Sequence, residues 1–269
     1  MNCERAYPGG RDDRPAAGER MIHYHGTPIS GPSTVSVAAL SGGHAFVSHS
    51  DPGALSVAAE ICQSFALDCG AFGAWRAGRP INDWSRYYDW AADCLRHPAC
   101  DWAIIPDVID GDEPDNDSLL REWPMPKWAG VPVWHMHERL DRLQLLAADW
   151  PRVAIGSSGE FARVGTPEWW ARMHEAMSIV CDRDGRPLVK LHGLRMLDPA
   201  VFSRLPLASA DSTNVARNVG IDRAWTGSYQ PPNRESRAMI LRSRIESING
   251  AQRWDGVPES MPIHQGILL

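Results

Sequence analysis

Apolar residues gather along this chain in short runs closed by turn residues: IHYH (22–25), HAFVS (44–48), FALD (65–68), WAIIPD (102–107), VPVW (131–134), RVAIG (152–156), PLVKLH (187–192) and LASAD (207–211). Most are continuously apolar rather than alternating, as strands covered on both faces must be. Segments of helical period lie between them. Trp84, Tyr87, Ala91 and Leu95 mark one face, and Leu140, Leu143 and Ala147 another. Thr166-Pro167-Glu168 reads as an N-cap, a proline at the first helical position and an acidic first turn, leading into Trp169, Met173, Met177 and Val180. Asp198-Pro199 repeats that start for a shorter helix. The last helix is predicted from about Asn233 to Ile248, with Ala238, Leu241, Ile245 and Ile248 on its buried side.

Eight strands, mostly followed by helices, predict an α/β fold, a (β/α)8 TIM barrel, over residues 21–269. The first crossover, residues 26–43, is rich in Gly, Pro and Ser and shows no clear helix; a doubly wound open sheet is the alternative. Residues 1–20 are polar and rich in Gly, Pro and Arg, which predicts a flexible, disordered tail.

Composition narrows the classes further. The chain has 269 residues, and its apolar content of 43% and charged content of 22% are those of a soluble globular protein. The six cysteines form no C-x-x-C pair, and no run reaches the ~18 apolar residues of a membrane span, so we expect reduced thiols in a cytoplasmic protein without a membrane partner. The net charge of −6 hides an asymmetry: Arg217 to Trp254 holds seven Arg against Asp222, Glu235 and Glu246, a local balance of +4, leaving −10 elsewhere. Such a basic segment is either a nucleic-acid contact or a solvated helix face.

In a barrel the chemistry gathers at the C-terminal ends of the strands. Those ends read His23 and His25, Ser48 and His49, Asp68, Asp107, His135, Gly156, His192 and Asp211. A strand-end Asp commonly caps a turn. Three carboxylates converging on one mouth, however, repel one another and perturb their pKa values, a costly arrangement for turn-making. Two of them suit substitution at a sugar carbon, one attacking and one managing a proton on the leaving group. Gly70 and Gly73, just after Asp68, leave backbone room for a flat ligand.

Six segments in strand order carry a resemblance. LDCGAF resembles an Asp-Ser-Gly-Gly-Phe motif at the third strand, and AIIPD an apolar fourth strand ending in a base-reading Asp. VWHMH stands in place of Val-Gln-Gly-Gly, VAIGSSGEF of Ile-Gly-Gly-Leu-x-x-Gly-Glu, VKLHG of Leu-Met-Gly-Val-Gly, and SADSTNVARN of Phe-Asp-Cys-Val-x-Pro-Thr-Arg. Over roughly residues 40–220 the chain thus resembles the tRNA-guanine transglycosylase superfamily, most closely its DNA-directed members that insert 7-deazaguanines. The resemblance implies a pentosyltransferase that replaces guanine in nucleic acid, DNA rather than tRNA, with a base such as 7-cyano-7-deazaguanine. It makes Asp211 the nucleophile that holds the sugar covalently and Asp68 the general acid/base. It makes Asp107 the acceptor of the guanine N1–H and amino group, since an ionised carboxylate only accepts. Gly156 and Ser157 then offer donors to the purine O6, Gly70 and Phe72 line the base, and His135 and His192 stand where the family has a Gln and an apolar wall. His192 is expected to stack on the base or bond to it.

The family's tRNA enzymes carry a C-x-C-x-x-C…His zinc site near the C-terminus, whereas no cysteine follows Cys181 here. The expectation is therefore no metal and no cofactor. Arg234, Arg237, Arg242 and Arg244 of the last helix are the expected phosphate contacts, and a target base inside a duplex must be flipped out. Trp75, Trp84 and Trp225 are candidate stacking surfaces. Two rival readings stand beside this one. His23-Tyr24-His25 with His135 and Asp211 resembles the ligand set of metal-dependent amidohydrolase barrels, although Gly156 and Asp107 occupy positions where that family has His and Lys. The other is a barrel that binds a nucleobase or nucleic acid without chemistry.

Overall fold

The computed structural model of the protein describes residues 19–220, 225 and 229–257. The expected tail over residues 1–20 therefore lies outside the described residues except for its last two positions. The strands are β1 (Ile22–Gly26), β2 (His44–Ser48), β3 (Ser64–Asp68), β4 (Cys100–Ile104), β5 (Gly130–Val131), β6 (Val133–His135), β7 (Arg152–Gly156), β8 (Lys190–Gly193) and β9 (Ser209–Ser212). The helices are α1 (Ser33–Leu40), α2 (Ala54–Ile61), α3 (Ala71–Arg76), α4 (Ser85–Cys94), α5 (Glu113–Glu122), α6 (Leu140–Asp149), α7 (Pro167–Val180), α8 (Pro199–Phe202), α9 (Asn214–Asn218) and α10 (Arg234–Glu246).

All strand pairs are parallel, in the order β5-β4-β3-β2-β1-β9-β8-β7-β6. The two edges, β5 and β6, are halves of one stretch parted only by Pro132, which has no N–H to give a ladder. Its carbonyl still accepts from Ala154 N at 2.9 Å, and Val131 O accepts from Ile105 N at 2.9 Å. The sheet thereby closes on itself as a TIM-type barrel of eight strand positions, and the open-sheet alternative falls away.

Cap chemistry sets the helix starts where the sequence indicates. Thr166 accepts from Trp169 N ahead of Pro167, Asp198 from Ala200 N ahead of Pro199, and Asn233 from Ser236 N ahead of α10. The first crossover does contain a helix, contrary to expectation. STVSVAAL has no charged face to contrast with its buried Val35, Ala39 and Leu40, so its period is invisible in sequence although α1 packs on α10. On α10, Ala238 and Ile245 are buried, but Ile248 lies past the helix end and is exposed.

Period two decides what fills the barrel. Tyr24, Phe46, Trp102 and His192 point inward, their ring centroids 4.8–6.2 Å apart. The interior is thus a packed aromatic plug beneath the mouth. No helix among the described residues is long and apolar enough to cross a membrane.

Candidate active site at the barrel mouth

Asp68 ends β3 and Asp211 lies in β9, each on the strand face that looks into the mouth, while Asp107 follows β4 by three residues. The structure brings these three together. Burial pushes the Asp68 carboxyl up to about 6; a hydrogen bond from Ser48 Oγ (2.9 Å) opposes the rise, and the charges of Asp211 and Asp107 add to it. No Lys or Arg side chain pairs with any of the three among the described residues. A carboxyl in that state holds a proton at mildly acidic pH and releases it near neutrality, which suits proton transfer in both directions.

Asp107 is 8% exposed and takes two contacts. The thiol of Cys69, itself pushed far up by burial and by neighbouring Asp107 and Asp68, lies 3.6 Å from Oδ1. His135 Nε2 stands 2.9 Å from Oδ2, off the axis of a hydrogen bond. Gly156 makes room for that ring, since a Cβ there would lie 3.1 Å from His135 Nδ1.

A buried box beneath holds the pair. Glu138 and Arg142, 3% and 4% exposed, are joined at 2.7 Å. Glu138 Oε2 also accepts from His135 N (2.9 Å) and Oε1 from Asn116 Nδ2 (2.9 Å), while Asn116 Oδ1 accepts from Val108 N (2.7 Å). The box therefore ties the backbone beside Asp107 to that of His135. Arg142 completes it by donating to Val133 O and to Asp117.

Asp211 is 5% exposed, and its Oδ1 accepts from Arg195 N at 3.0 Å. Arg195 is held at a φ of 58°, the left-handed region. Its guanidinium donates to Ser157 O (3.1 Å) and lies 3.9 Å over the Phe72 ring. Burial lowers the pKa of Arg195, Asp211 counteracts this, and nearby Arg76 and Arg217 reinforce it. Neither Arg76 nor Arg217 makes an ion pair or side-chain hydrogen bond among the described residues. Phe72 and Arg76 share a face of α3, four residues apart, and Trp75 beside them is 43% exposed.

Several expected residues are placed otherwise. His192 is fully buried and reaches Asp211 from below, with Nε2 3.3 Å from Oδ1, so it cannot stack on a base. Because Tyr24 points inward, His23 and His25 point outward: His23 meets Ile248 O at 3.0 Å and His25 meets Glu246 Oε1 at 3.0 Å, both away from the mouth. Burial holds His23 down at about 4. The H-x-H metal reading therefore loses its first-strand ligands.

Gly70 is small for a local reason. Its φ is 85° and a Cβ would collide with Ser50 Oγ, whatever lies in the mouth. Ser157 accepts from Trp169 Nε1 at its hydroxyl oxygen and from Arg195 at its carbonyl, contacts that do not involve its backbone N–H, the expected donor to the purine O6. Trp84 and Trp225 are buried, at 7% and 2% exposure, and offer no open stacking face.

Two of the four arginines of α10 are held by partners within the protein. Arg242 is committed to Glu246 (2.8 Å) and to Ser41 O (2.7 Å), and Arg237 to Pro231 O (3.0 Å). Arg244 lies 5.2 Å over Trp225, and Arg234 sits beside Gly31 and Gly220 at the other end of the helix.

Arg195, Ser48, Cys69 and the Glu138–Arg142 box are the functional neighbours that sequence reasoning did not single out for these roles. Glu138 and Arg142 carried a signal, a carboxylate and a guanidinium four residues apart entering a helix. Arg195 carried none, because its role depends on a backbone turn.

No family model and no curated protein matches the chain. Among solved structures it is similar to a mutant tryptophan synthase alpha-subunit from the hyperthermophile Pyrococcus furiosus, at 15% identity and a TM-score of 0.47, covering 85% of this chain and 96% of that one.

Proposed function

We propose that the protein is a base-exchange glycosyltransferase acting on guanine in nucleic acid, DNA in preference to tRNA, and inserting a 7-deazaguanine such as 7-cyano-7-deazaguanine. The observation that carries the reading is the carboxylate trio at the mouth, none of it ion-paired to a Lys or Arg side chain among the described residues, with Asp68 raised to about 6 beside Asp211 and Asp107. In the first half-reaction an Asp211 oxygen attacks C1′ and the C1′–N9 bond breaks. The electron pair goes to N9 and Asp68 delivers the proton that guanine carries away. In the second, Asp68 takes the N9 proton of the incoming base, N9 attacks C1′, and the bond to Asp211 breaks. Electrons and protons balance without a redox partner.

Asp107 has lone pairs left for the N1–H and amino group of the base, because among the described residues the Cys69 thiol hydrogen-bonds to only one of its roughly four acceptor sites. The polynucleotide grip belongs to the mouth rather than to α10: Arg195, Arg76 and Arg217 supply positive charge, and Trp75 an aromatic face, next to the attacking carboxylate. The test is incorporation of labelled 7-cyano-7-deazaguanine into duplex DNA, single-stranded DNA or tRNA. Label entering DNA supports the reading, and label entering none of the three overturns it.

A further inference from the structure

Beneath the mouth a buried chain of polar groups runs down the barrel axis from Asp211. His192 Nε2 is 3.3 Å from Asp211 Oδ1; His192 Nδ1 is 2.9 Å from Ser209 Oγ; and Ser209 Oγ accepts from Arg152 Nη1 at 3.3 Å. Ser209 and His192 are both completely buried. Trp102 packs edge-on against His192, ring centroids 4.8 Å apart, and the Arg152 guanidinium lies 5.3 Å over its ring.

The proton positions follow from what each group can do. A guanidinium only donates, so Arg152 fixes the Ser209 oxygen as its acceptor. The Ser209 hydroxyl hydrogen then needs an acceptor of its own, and among the described residues the one within reach is His192 Nδ1. With Nδ1 accepting, the ring proton sits on Nε2, which lies 3.3 Å from Asp211 Oδ1 and off the axis of a hydrogen bond. The opposite tautomer would set a nitrogen lone pair against a carboxylate and leave the serine hydrogen unpaired, a double cost in a dry interior. Burial, assisted by the charge of Arg152, lowers the pKa of His192 and keeps the ring neutral, although Asp211 pulls the other way.

We propose that His192 is a positioning residue, locked by Arg152 and Ser209 as the neutral Nε2–H tautomer, whose Nε2–H lies beside the oxygen of Asp211 that accepts from Arg195 N–H and leaves the other oxygen free to attack. Oδ1 receives both of these contacts, and Oδ2 receives none among the described residues. The group is thus aimed as well as held. Its catalytic meaning rests on the glycosyl-transfer reading, but the tautomer itself does not.

The test uses the full chain labelled with 15N-histidine. A long-range 1H–15N correlation spectrum at neutral pH is expected to show His192 as the neutral Nε2–H form, and Ser209→Ala is expected to shift it toward a mixture of tautomers. An Nδ1–H or doubly protonated His192 in the unaltered protein overturns the proposal, whether or not base exchange occurs. Where exchange is measurable, His192→Leu is expected to lower kcat tenfold or more with little change in KM. His192→Gln, which keeps a donor at the ε position, is expected to recover most of that loss. Folded His192→Leu protein with the kcat of the unaltered protein also overturns it. If the spectrum is as expected and no exchange occurs with any substrate, the positioning geometry stands and the glycosyl-transfer reading fails.

Discussion

Two groups of buried charge lie close together in this barrel and are treated in opposite ways. In the box under β6, Glu138 meets Arg142 at 2.7 Å, and both its oxygens are filled by Asn116, His135 N and the guanidinium. At the mouth, Asp68, Asp107 and Asp211 form no ion pair with a Lys or Arg side chain among the described residues, and burial, with the charges of the other two added to it, pushes Asp68 upward. Charge that is buried beside its counter-charge fixes a shape. Charge that is crowded against like charge stores an electrostatic cost that only a reaction can use.

The two groups therefore respond in opposite senses to removal of a charge, and four predictions follow that contrast. The largest concerns rate: Asp211→Asn is expected to lower base exchange by roughly 10³-fold or more, while leaving the melting temperature equal or higher because a crowded carboxylate is gone. A variant that loses stability instead would place Asp211 with the structural box. Next comes Arg142→Ala, which leaves Glu138 buried and unpaired and should cost about 3–5 kcal/mol in urea unfolding. A loss below about 1 kcal/mol would show that the box is not compensating a buried charge.

The third prediction is a pH dependence. The Asp68 carboxyl is raised from 3.8 to about 6, so between those values the folded chain holds a proton that the unfolded chain has released. Stability from this group is then highest below about pH 4, falls as pH rises towards 6, and stays lowered above it, by about 2–3 kcal/mol. Asp68→Asn should flatten that fall and be the more stable protein at neutral pH. An unchanged profile would remove Asp68 from the crowded trio.

The smallest effect sharpens the boundary between site and scaffold. Gly70→Ala should cost ~1–2 kcal/mol through its positive φ and its contact with Ser50, and Ser50→Gly should restore only the steric part. Unaltered stability with weakened base binding would return Gly70 to the ligand.

The sequence disclosed the strands and their mouth because continuous apolar runs and strand-end carboxylates are local facts. It disclosed α7, α8 and α10 through their caps. It hid α1, which lacks a polar face, and α5, whose one buried residue is Asn116. The histidines needed one further step: an inward Tyr24 turns His23 and His25 outward, a consequence of period two that the H-x-H spacing alone conceals. Arg195 and the axial run from Asp211 to Arg152 were illegible, since they depend on which side chains face each other across the barrel. The arginines of α10 looked like one patch in sequence, but Arg242 and Arg237 are spent on backbone carbonyls and, for Arg242, on Glu246.

A covalent bond between Asp211 and the sugar is the step on which the proposed base exchange turns. Incubating the protein with end-labelled guanine-containing DNA, omitting the incoming base, and separating the mixture by denaturing electrophoresis should reveal a protein–DNA adduct. Peptide mapping should place it on Asp211, it should be missing from Asp211→Asn, and 7-cyano-7-deazaguanine should discharge it. An adduct that survives in Asp211→Asn, or base exchange that proceeds with no adduct at any time, would contradict the account.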